Sequence, residues 1–412
     1  MTMLLVTKKA PLRRYRHRLL PLLCCCLLLF AFQTAEAIEP SKPLKTVRLQ
    51  LKWQHQFQFA GYYAAVEQGY YRQGGLEVEI LETIESAKST ENVLNGSAEF
   101  GIAMSDLIVQ HGNGAPVVAL ATIYQHSPLV FLTTKKSGID SIHALVGKRV
   151  MLETHAEELV AYLEAEGIKP EQLEILPHTF ETDQLIKGTV DAISAYATDE
   201  PYALVEQGIA YNTFSPRSVG IDFYGDTLFT TKNYLQEHPD TVKIFVDATL
   251  KGWEYALNHQ EEMVDLILTK YSQRHSREHL LFEARATQRL IFPEVVEIGY
   301  MNPGRWQNIA RIYADQGMLP VDFSLEGFLY EKNPKPDLTR IYLTLFVICV
   351  VLVVTVVIAA RFLALNKSLN RQIIQRQEAE KMLQEKERAL SVLMSNLPGW
   401  RETGHCEKPV WS

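Results

Sequence analysis

The segment LKWQHQFQFAGYYAAVEQGYYRQGGLEVEI, residues Leu51–Ile80, carries the pattern that decides the fold. It follows an alternating run of apolar and polar residues, Val47–Leu51, which predicts a β-strand because side chains alternate between the two faces of a strand. Within the segment, Gly61–Gly69 predicts a helix that ends at a glycine, and Leu76–Leu81 alternates again as a second strand. A strand, a helix and a strand in this order are typical of a parallel α/β sheet.

The same succession continues along the chain and then restarts. Two successive α/β units predict two lobes with parallel sheets and a cleft between them. Because open α/β sheets bind ligands at the carboxyl ends of their strands, we expect the site in the loops that follow the strands. Residues Tyr234–Met318 have a helical pattern. The further predicted strands are Phe100–Ala103, Val117–Ile123, Leu129–Thr133, Lys148–Leu152, Leu173–Leu176 and Asp191–Tyr196.

The composition of the 412 residues is that of a globular protein, with 47% apolar and 22% charged residues. It excludes a wholly disordered or collagen-like chain. The 41 basic and 48 acidic residues give a net charge of −7, so the charge balance indicates no nucleic-acid partner.

Residues 1–37 have the pattern of a signal peptide. A basic region precedes the uncharged stretch Leu19–Phe32, and Ala35–Ala37 has the small-x-small sequence of a cleavage site. An uncleaved anchor is the alternative. Cys24–Cys26 lie inside the apolar stretch, where we interpret them as hydrophobic residues and not as metal ligands. The chain has no cysteine in Ile38–Arg340, which suits an oxidising compartment.

A second apolar stretch, Ile341–Ala360, contains no charged residue and predicts a transmembrane helix, which we assign to residues 341–363. Positive residues are more frequent after this stretch than before it, and this favours a cytoplasmic C-terminus. We therefore expect a single-pass protein of the bacterial inner membrane. Its main domain, residues 38–338, would be periplasmic.

The segment after the span predicts a helix that pairs with another copy. Leu369, Leu383, Leu390 and Leu397 share one heptad column, so residues 364–397 are interpreted as a coiled-coil linker of a homodimer. A solvated single helix is the alternative. Leu390–Gly399 resembles the start of a PAS domain in membrane-bound sensor kinases and diguanylate cyclases, and residues 398–412 would be a short, truncated remainder of it.

Six segments in order resemble the SsuA and thiamine-pyrimidine-synthase-like family of periplasmic substrate-binding proteins. The resemblance implies a type II-like, two-lobed periplasmic-binding-protein fold of the α/β class. It also implies a small-molecule ligand, because relatives bind sulfonates, nitrate, pyrimidines or flavin precursors. The segments are Leu51–Ile80, Asn95–Val109, Ala121–Leu132, Gly147–Glu153, Asp191–Leu204 and Val219–Thr231.

The synthase branch of that family uses a pyridoxal-phosphate lysine, a histidine and a cysteine-rich iron motif, and this chain departs from it at each point. Ala103 stands in the place of the lysine and Leu107 in that of the histidine, and Gly220–Thr231 contains no cysteine. We therefore expect no enzyme activity, no cofactor and no metal site. Motifs of serine hydrolases, zinc proteases and phosphate-binding loops are absent from the sequence.

The candidate ligand-binding residues combine aromatic rings with acids. Trp53 and its aromatic neighbours follow the first strand, where they suit a planar heterocycle or alternatively pack in the core. Glu200 lies at a strand-to-helix turn before Pro201, where it either accepts from ligand donors or faces solvent at the helix start. We expect Trp53 and Glu200 to line one cleft. The full set is Trp53, Phe59, Tyr62, Ser105, Asp106, Tyr124, Tyr196, Glu200, Asp222 and Tyr224.

Two functions fit these features. The first is a membrane-anchored sensor of a small heterocyclic ligand, with a cytoplasmic signalling partner. The second is the substrate-binding component of an ABC transporter, with a permease as partner. The charged extension after the span favours the sensor, because a transport component needs no such helix.

Overall fold

A computed structural model describes residues 43–83, 87–153, 156–332 and 338–396. The described residues up to Lys332 form one compact unit, and those from Leu338 onward belong to a second. The predicted signal peptide, Leu397 and the PAS-like remainder lie outside the described residues.

The first sheet contains five strands in the order β2-β1-β3-β10-β4. Strand β1 pairs in parallel with β2 and β3, whereas β10 runs antiparallel to both β3 and β4. The strands are β1 (Lys45–Gln50), β2 (Leu76–Leu81), β3 (Phe100–Ala103), β4 (Val117–Tyr124) and β10 (Gly225–Thr231).

The second sheet also contains five strands, in the order β7-β6-β8-β5-β9. Strand β6 pairs in parallel with β7 and β8, and β5 runs antiparallel to β8 and β9. The strands are β5 (Leu129–Thr134), β6 (Arg149–Leu152), β7 (Glu174–Pro177), β8 (Ala192–Tyr196) and β9 (Tyr211–Phe214).

The prediction of two α/β lobes is confirmed, but the prediction of purely parallel sheets is wrong. The chain leaves lobe one (the first sheet and its helices) after β4, builds lobe two (the second sheet and its helices), and returns as β10. The strand after each crossing, β5 in lobe two and β10 in lobe one, runs antiparallel to its neighbours. Because the chain returns to lobe one as β10, the two lobes are not successive units of the sequence. The two crossings meet at Gly225, where an added Cβ would lie 2.9 Å from Pro128 Cδ.

Helices cover both sheets, and two of them cross at glycines. Gly61 of α1 and Gly252 of α9 let the two backbones come so close that a Cβ on Gly252 would collide with the Gly61 carbonyl. Trp253 is fully buried beside this crossing. The helices up to residue 332 are α1 (Ala60–Glu67), α2 (Tyr70–Gln73), α3 (Ala87–Leu94), α4 (Leu107–Gly112), α5 (Glu157–Ala165), α6 (Asp183–Lys187), α7 (Pro201–Glu206), α8 (Lys232–Glu237), α9 (Pro239–Asn258), α10 (Gln260–Leu266), α11 (Arg277–Ile291) and α12 (Pro303–Asp315).

The second unit is a single helix of 57 residues, α13 (Thr339–Ser395). Within the described part of the chain, it is the one helix that is long and apolar enough to cross a membrane. It continues without a break through the heptad leucines Leu369, Leu383 and Leu390, whose side chains are exposed.

Candidate functional site

A buried ion pair joins the loop after β1 to the start of β10. Lys52 lies two residues after the end of β1, and its Nζ lies 2.6 Å from Oδ1 of Asp226, with only 4% and 2% of the two side chains exposed. Gln58 Nε2 donates to both carboxylate oxygens of Asp226, at 3.1 and 2.8 Å. Asp226 has a φ of +36°, which is uncommon for any residue other than glycine, and such backbone strain often accompanies functional sites.

Lys52 also reaches the other lobe. Its Nζ donates to the hydroxyl of Tyr196 at 2.6 Å, and Tyr196 lies at the end of β8. The Tyr196 hydroxyl in turn donates to the sulfur of Met104 at 3.3 Å. The carboxyl ends of two parallel strands, β1 and β8, therefore face each other across the cleft, which is where α/β sheets place their ligands.

Two more tyrosines surround the acid of this ion pair. The Tyr124 hydroxyl lies 3.1 Å from Thr287 Oγ1, whereas the buried Tyr62 hydroxyl has no hydrogen-bond partner among the described residues. Burial raises the pKa of both tyrosines well above the ordinary value, and the charge of Asp226 adds to this shift. Both hydroxyls are therefore neutral at physiological pH.

An aromatic pair closes one side of the junction. The ring of Trp53 in lobe one lies 5.1 Å from that of Phe180 in lobe two. Phe180 has a φ of +60° and a side chain that is 48% exposed. Of the three described non-glycine residues with positive φ, two thus lie where the lobes meet.

Two acids on lobe two hold protons unusually tightly. Glu200 precedes α7, which begins at Pro201 as expected, and its Oε2 accepts the backbone N–H of Tyr196 at 2.8 Å. Burial raises the pKa of Glu200 well above its usual range, and the charge of Asp199 raises it further. Burial also raises the pKa of Glu153 to about 7, although the charge of Lys52 opposes the shift. At neutral pH these carboxyls can donate as well as accept.

The remaining sequence candidates have partners within the protein. Phe59 is fully buried in the core of lobe one. The hydroxyl of Ser105 donates to the carbonyl of Tyr224 at 2.6 Å and does not cap α4. Asp106 is the residue before α4, and its side chain makes no capping hydrogen bond with that helix.

The last two candidates, Asp222 and Tyr224, both contact Arg305. Its guanidinium lies 2.8 Å from Asp222 Oδ1 and over the ring of Tyr224, 4.2 Å from the centroid. His126 contacts the same carboxylate at 3.0 Å. The structure therefore collects Tyr62, Tyr124 and Tyr196 around Asp226, and places Asp222 and Tyr224 in a separate network around Arg305.

Sequence reasoning missed three residues of the junction: Lys52, Gln58 and Asp226. Lys52 and Gln58 lie within the segment that decides the fold, and a lysine at the end of an apolar strand was the available signal. Asp226 ends a loop of mixed acids and aromatic residues, Asp222–Asp226, but its pairing with Lys52 depends on the return of the chain to the first sheet as β10.

The family model described as "NMT1/THI5 like" matches residues 56–263, about half of the chain. The chain belongs to the NMT1/THI5-like family. Among relatives of this NMT1/THI5-like chain, the formylaminopyrimidine-binding protein of Halalkalibacterium halodurans is 26% identical over 266 residues, which are 62% of this chain and 79% of the relative. The riboflavin-binding protein RibY of Chloroflexus aurantiacus is 26% identical over 252 residues, 58% and 70% of the two chains.

Solved structures share the fold of this NMT1/THI5-like chain at low identity. The periplasmic nitrate-binding protein NrtA of Synechocystis has a TM-score of 0.56 at 14% identity, over 69% of this chain and 86% of its own. The periplasmic aliphatic sulphonate-binding protein SsuA of Escherichia coli has a TM-score of 0.52 at 14% identity, over 67% and 94%. The expected periplasmic-binding-protein fold is thereby confirmed.

Proposed function

We propose that this chain is a membrane-anchored solute-binding sensor that takes up a small, neutral heterocycle between its lobes and passes the signal through α13. The observation that carries the proposal is the junction at which Lys52, Asp226 and Tyr196 bring both sheets together. Two relatives named for formylaminopyrimidine and riboflavin binding support a heterocyclic ligand.

The charges of the junction favour a neutral ligand. A sulfonate or nitrate requires cations that are free to pair with it, but Lys52 is already paired with Asp226. Neutral tyrosine hydroxyls and the protonated Glu200 can instead exchange hydrogen bonds with ring nitrogens and amino groups. The indole of Trp53 offers a flat surface for the ring itself.

The candidate ligand-binding residues are therefore Trp53, Tyr62, Tyr124, Tyr196 and Glu200, extended by Gln58 and Asp226. No catalytic role follows from them, because the positions of the synthase lysine and histidine hold Ala103 and Leu107. We infer a binding protein and not an enzyme.

The helix α13 supports the sensor over a transport component. Its apolar first part has a mean hydropathy of 3.2 over eighteen residues, and the same helix continues as a charged segment to Ser395. We propose that the apolar part spans the inner membrane, with the domain before it in the periplasm, and that the charged part pairs in a homodimer. The alternative, a tethered component that delivers ligand to a permease, is favoured by the transport proteins among the structural neighbours.

Ligand profiling of the full chain in detergent tests the first part. A pyrimidine or flavin should raise the melting temperature, because a ligand that binds only the folded state stabilises it. A rise with alkanesulfonates or nitrate, and none with any heterocycle, would overturn the proposed ligand class.

Cysteine crosslinking tests the second part. Cysteine placed at Leu390 in membranes should link two copies, and the double change Leu383→Asp with Leu390→Asp should prevent association. Cysteine placed on the opposite face at Arg388 is the matched control. A monomer at every heptad position, with and without ligand, would favour the transport component.

A further inference from the structure

Two histidines and an aspartate from different lobes meet beside the cleft. Asp199 lies between β8 and α7 in lobe two, whereas His275 precedes α11 and His279 lies in its first turn, in lobe one. Nε2 of His279 lies 2.7 Å from Oδ1 of Asp199, and Nε2 of His275 lies 3.7 Å from the same oxygen. One ligand atom from each residue lies within 4.8 Å of the other two.

Local structure holds this arrangement in place. Ser276 caps α11 by accepting the backbone N–H of His279 at 3.1 Å, which fixes the turn between the two histidines. Their rings lie 3.9 Å apart. Tyr202 of α7 stacks on His279 from the other lobe at 4.6 Å. Only 12–15% of each of the three side chains is exposed.

A hydrogen bond between the lobes would account for His279 but not for His275. The Nε2 atom of His275 is buried and has no hydrogen-bond partner within the described ranges. Leaving such a nitrogen unsatisfied destabilises the folded state. The unsatisfied nitrogen therefore indicates that an additional atom binds between the three side chains.

We propose that Asp199, His275 and His279 form a site for a transition-metal ion of the Zn²⁺ class that fastens the two lobes together. Two imidazoles and one carboxylate are a ligand set that zinc prefers. Ligands on a tetrahedral zinc lie about 3.3 Å apart, given Zn–N distances of about 2.0–2.1 Å. The observed 2.7 and 3.7 Å lie on either side of that value, so a small rotation of the Asp199 carboxylate equalises them.

The role of the site follows from the lobes to which its three ligands belong. Because Asp199 comes from lobe two and both histidines come from lobe one, a bound ion stabilises the closed arrangement and not the open one. The three ligands leave a fourth tetrahedral position open, and Asp199 adjoins Glu200 at the cleft. We expected no metal site from the sequence, where Asp199 lies far from both histidines along the chain.

Zinc titration of the full chain in detergent, after treatment with a chelator and with Zn²⁺ as the only added ligand, tests the proposal. We expect one ion per chain at this site and a higher melting temperature. His275→Ala and His279→Ala should each weaken binding at least tenfold, whereas His143→Ala, an exposed histidine elsewhere on lobe two, should not. No zinc uptake, or the same affinity in both alanine variants, would overturn the site.

Two further measurements separate metal binding from folding and from bridging. Because the His275 ring packs against that of His279, His275→Ala should lower the metal-free melting temperature only modestly, and it should lose the further rise with zinc. Asp199→Asn should also weaken zinc binding at least tenfold if the ion bridges the lobes. Unchanged affinity in Asp199→Asn would overturn the bridge. No organic ligand is needed, so the result is independent of the proposed sensor function.

Discussion

The two junctions between the lobes differ in how completely their polar atoms are partnered. At the first, Lys52 has Asp226 and Tyr196 within 2.6 Å, and Gln58 adds bonds to the carboxylate. At the second, His279 has Asp199, but the neighbouring His275 nitrogen has no hydrogen-bond partner among the described residues. A buried charge must be paired by the protein itself, whereas a neutral imidazole can be left open for a ligand. The first junction therefore supports the fold, and the second is free to respond to an added ion.

The largest effect is expected from breaking the first junction. Asp226→Ala leaves Lys52 buried without its counter-charge, and we expect a loss of about 3–5 kcal/mol in the free energy of unfolding. Urea unfolding of the full chain measures it. Asp183→Ala, which removes an exposed pair with Lys187, is the matched control and should cost less than about 1 kcal/mol. Equal losses in the two variants would show that the Lys52 pair contributes no more than a surface pair.

Glu153, whose pKa is affected by the charge of Lys52, makes the stability of the protein depend on pH. Its folded pKa of about 7 lies above the ordinary value of 4.5, so the native state binds the proton more tightly than the unfolded state. The free energy of unfolding should therefore fall as the pH rises from 4.5 to 7, by at most about 3.5 kcal/mol at about 1.4 kcal/mol per unit. Unfolding curves at several pH values should show that Glu153→Gln flattens this decline and that Glu164→Gln, on the exposed face of α5, does not. A decline of unchanged size in Glu153→Gln would contradict the assignment.

The smallest expected effect concerns ligand binding next to the junction. Trp53→Ala should weaken binding of a confirmed heterocycle by about 1–3 kcal/mol, because it removes a large apolar surface. Calorimetric titration gives the affinity, and Phe323→Ala, which packs against His111, is the control. If Trp53→Ala and a second variant, Glu200→Ala, both bound with unchanged affinity, the ligand would lie elsewhere.

The bounds of two strands could be predicted from the sequence to the exact residue. The predictions for Leu76–Leu81 and Phe100–Ala103 match β2 and β3. Strand β9 was not predicted, and the segment of β10 was noted without being assigned as a strand. The side chains of β9 are only half-buried, so it lacks the apolar pattern of a core strand.

The candidate site was predictable in its aromatic part and not in its charged part. Trp53 follows β1, Tyr62 lies in the helix after it, and Tyr124 and Tyr196 end β4 and β8. The sequence indicates all of these positions, because each lies at or just beyond the end of a predicted strand. The partner of Lys52 could not be identified, because Asp226 reaches it only through the antiparallel β10.

Local sequence is enough to determine the alternation of strands and helices, which depends on the period of side chains, and the long apolar helix, which depends on an uninterrupted apolar run. It also shows the two histidines of HSREH, His275–His279, four residues apart. Only the tertiary structure decided which strand returns to the first sheet and which acid faces each cation or imidazole. Asp226 and Asp199 are far from Lys52 and His275 along the chain, and local patterns carry no information about which distant segments meet when two lobes close on each other.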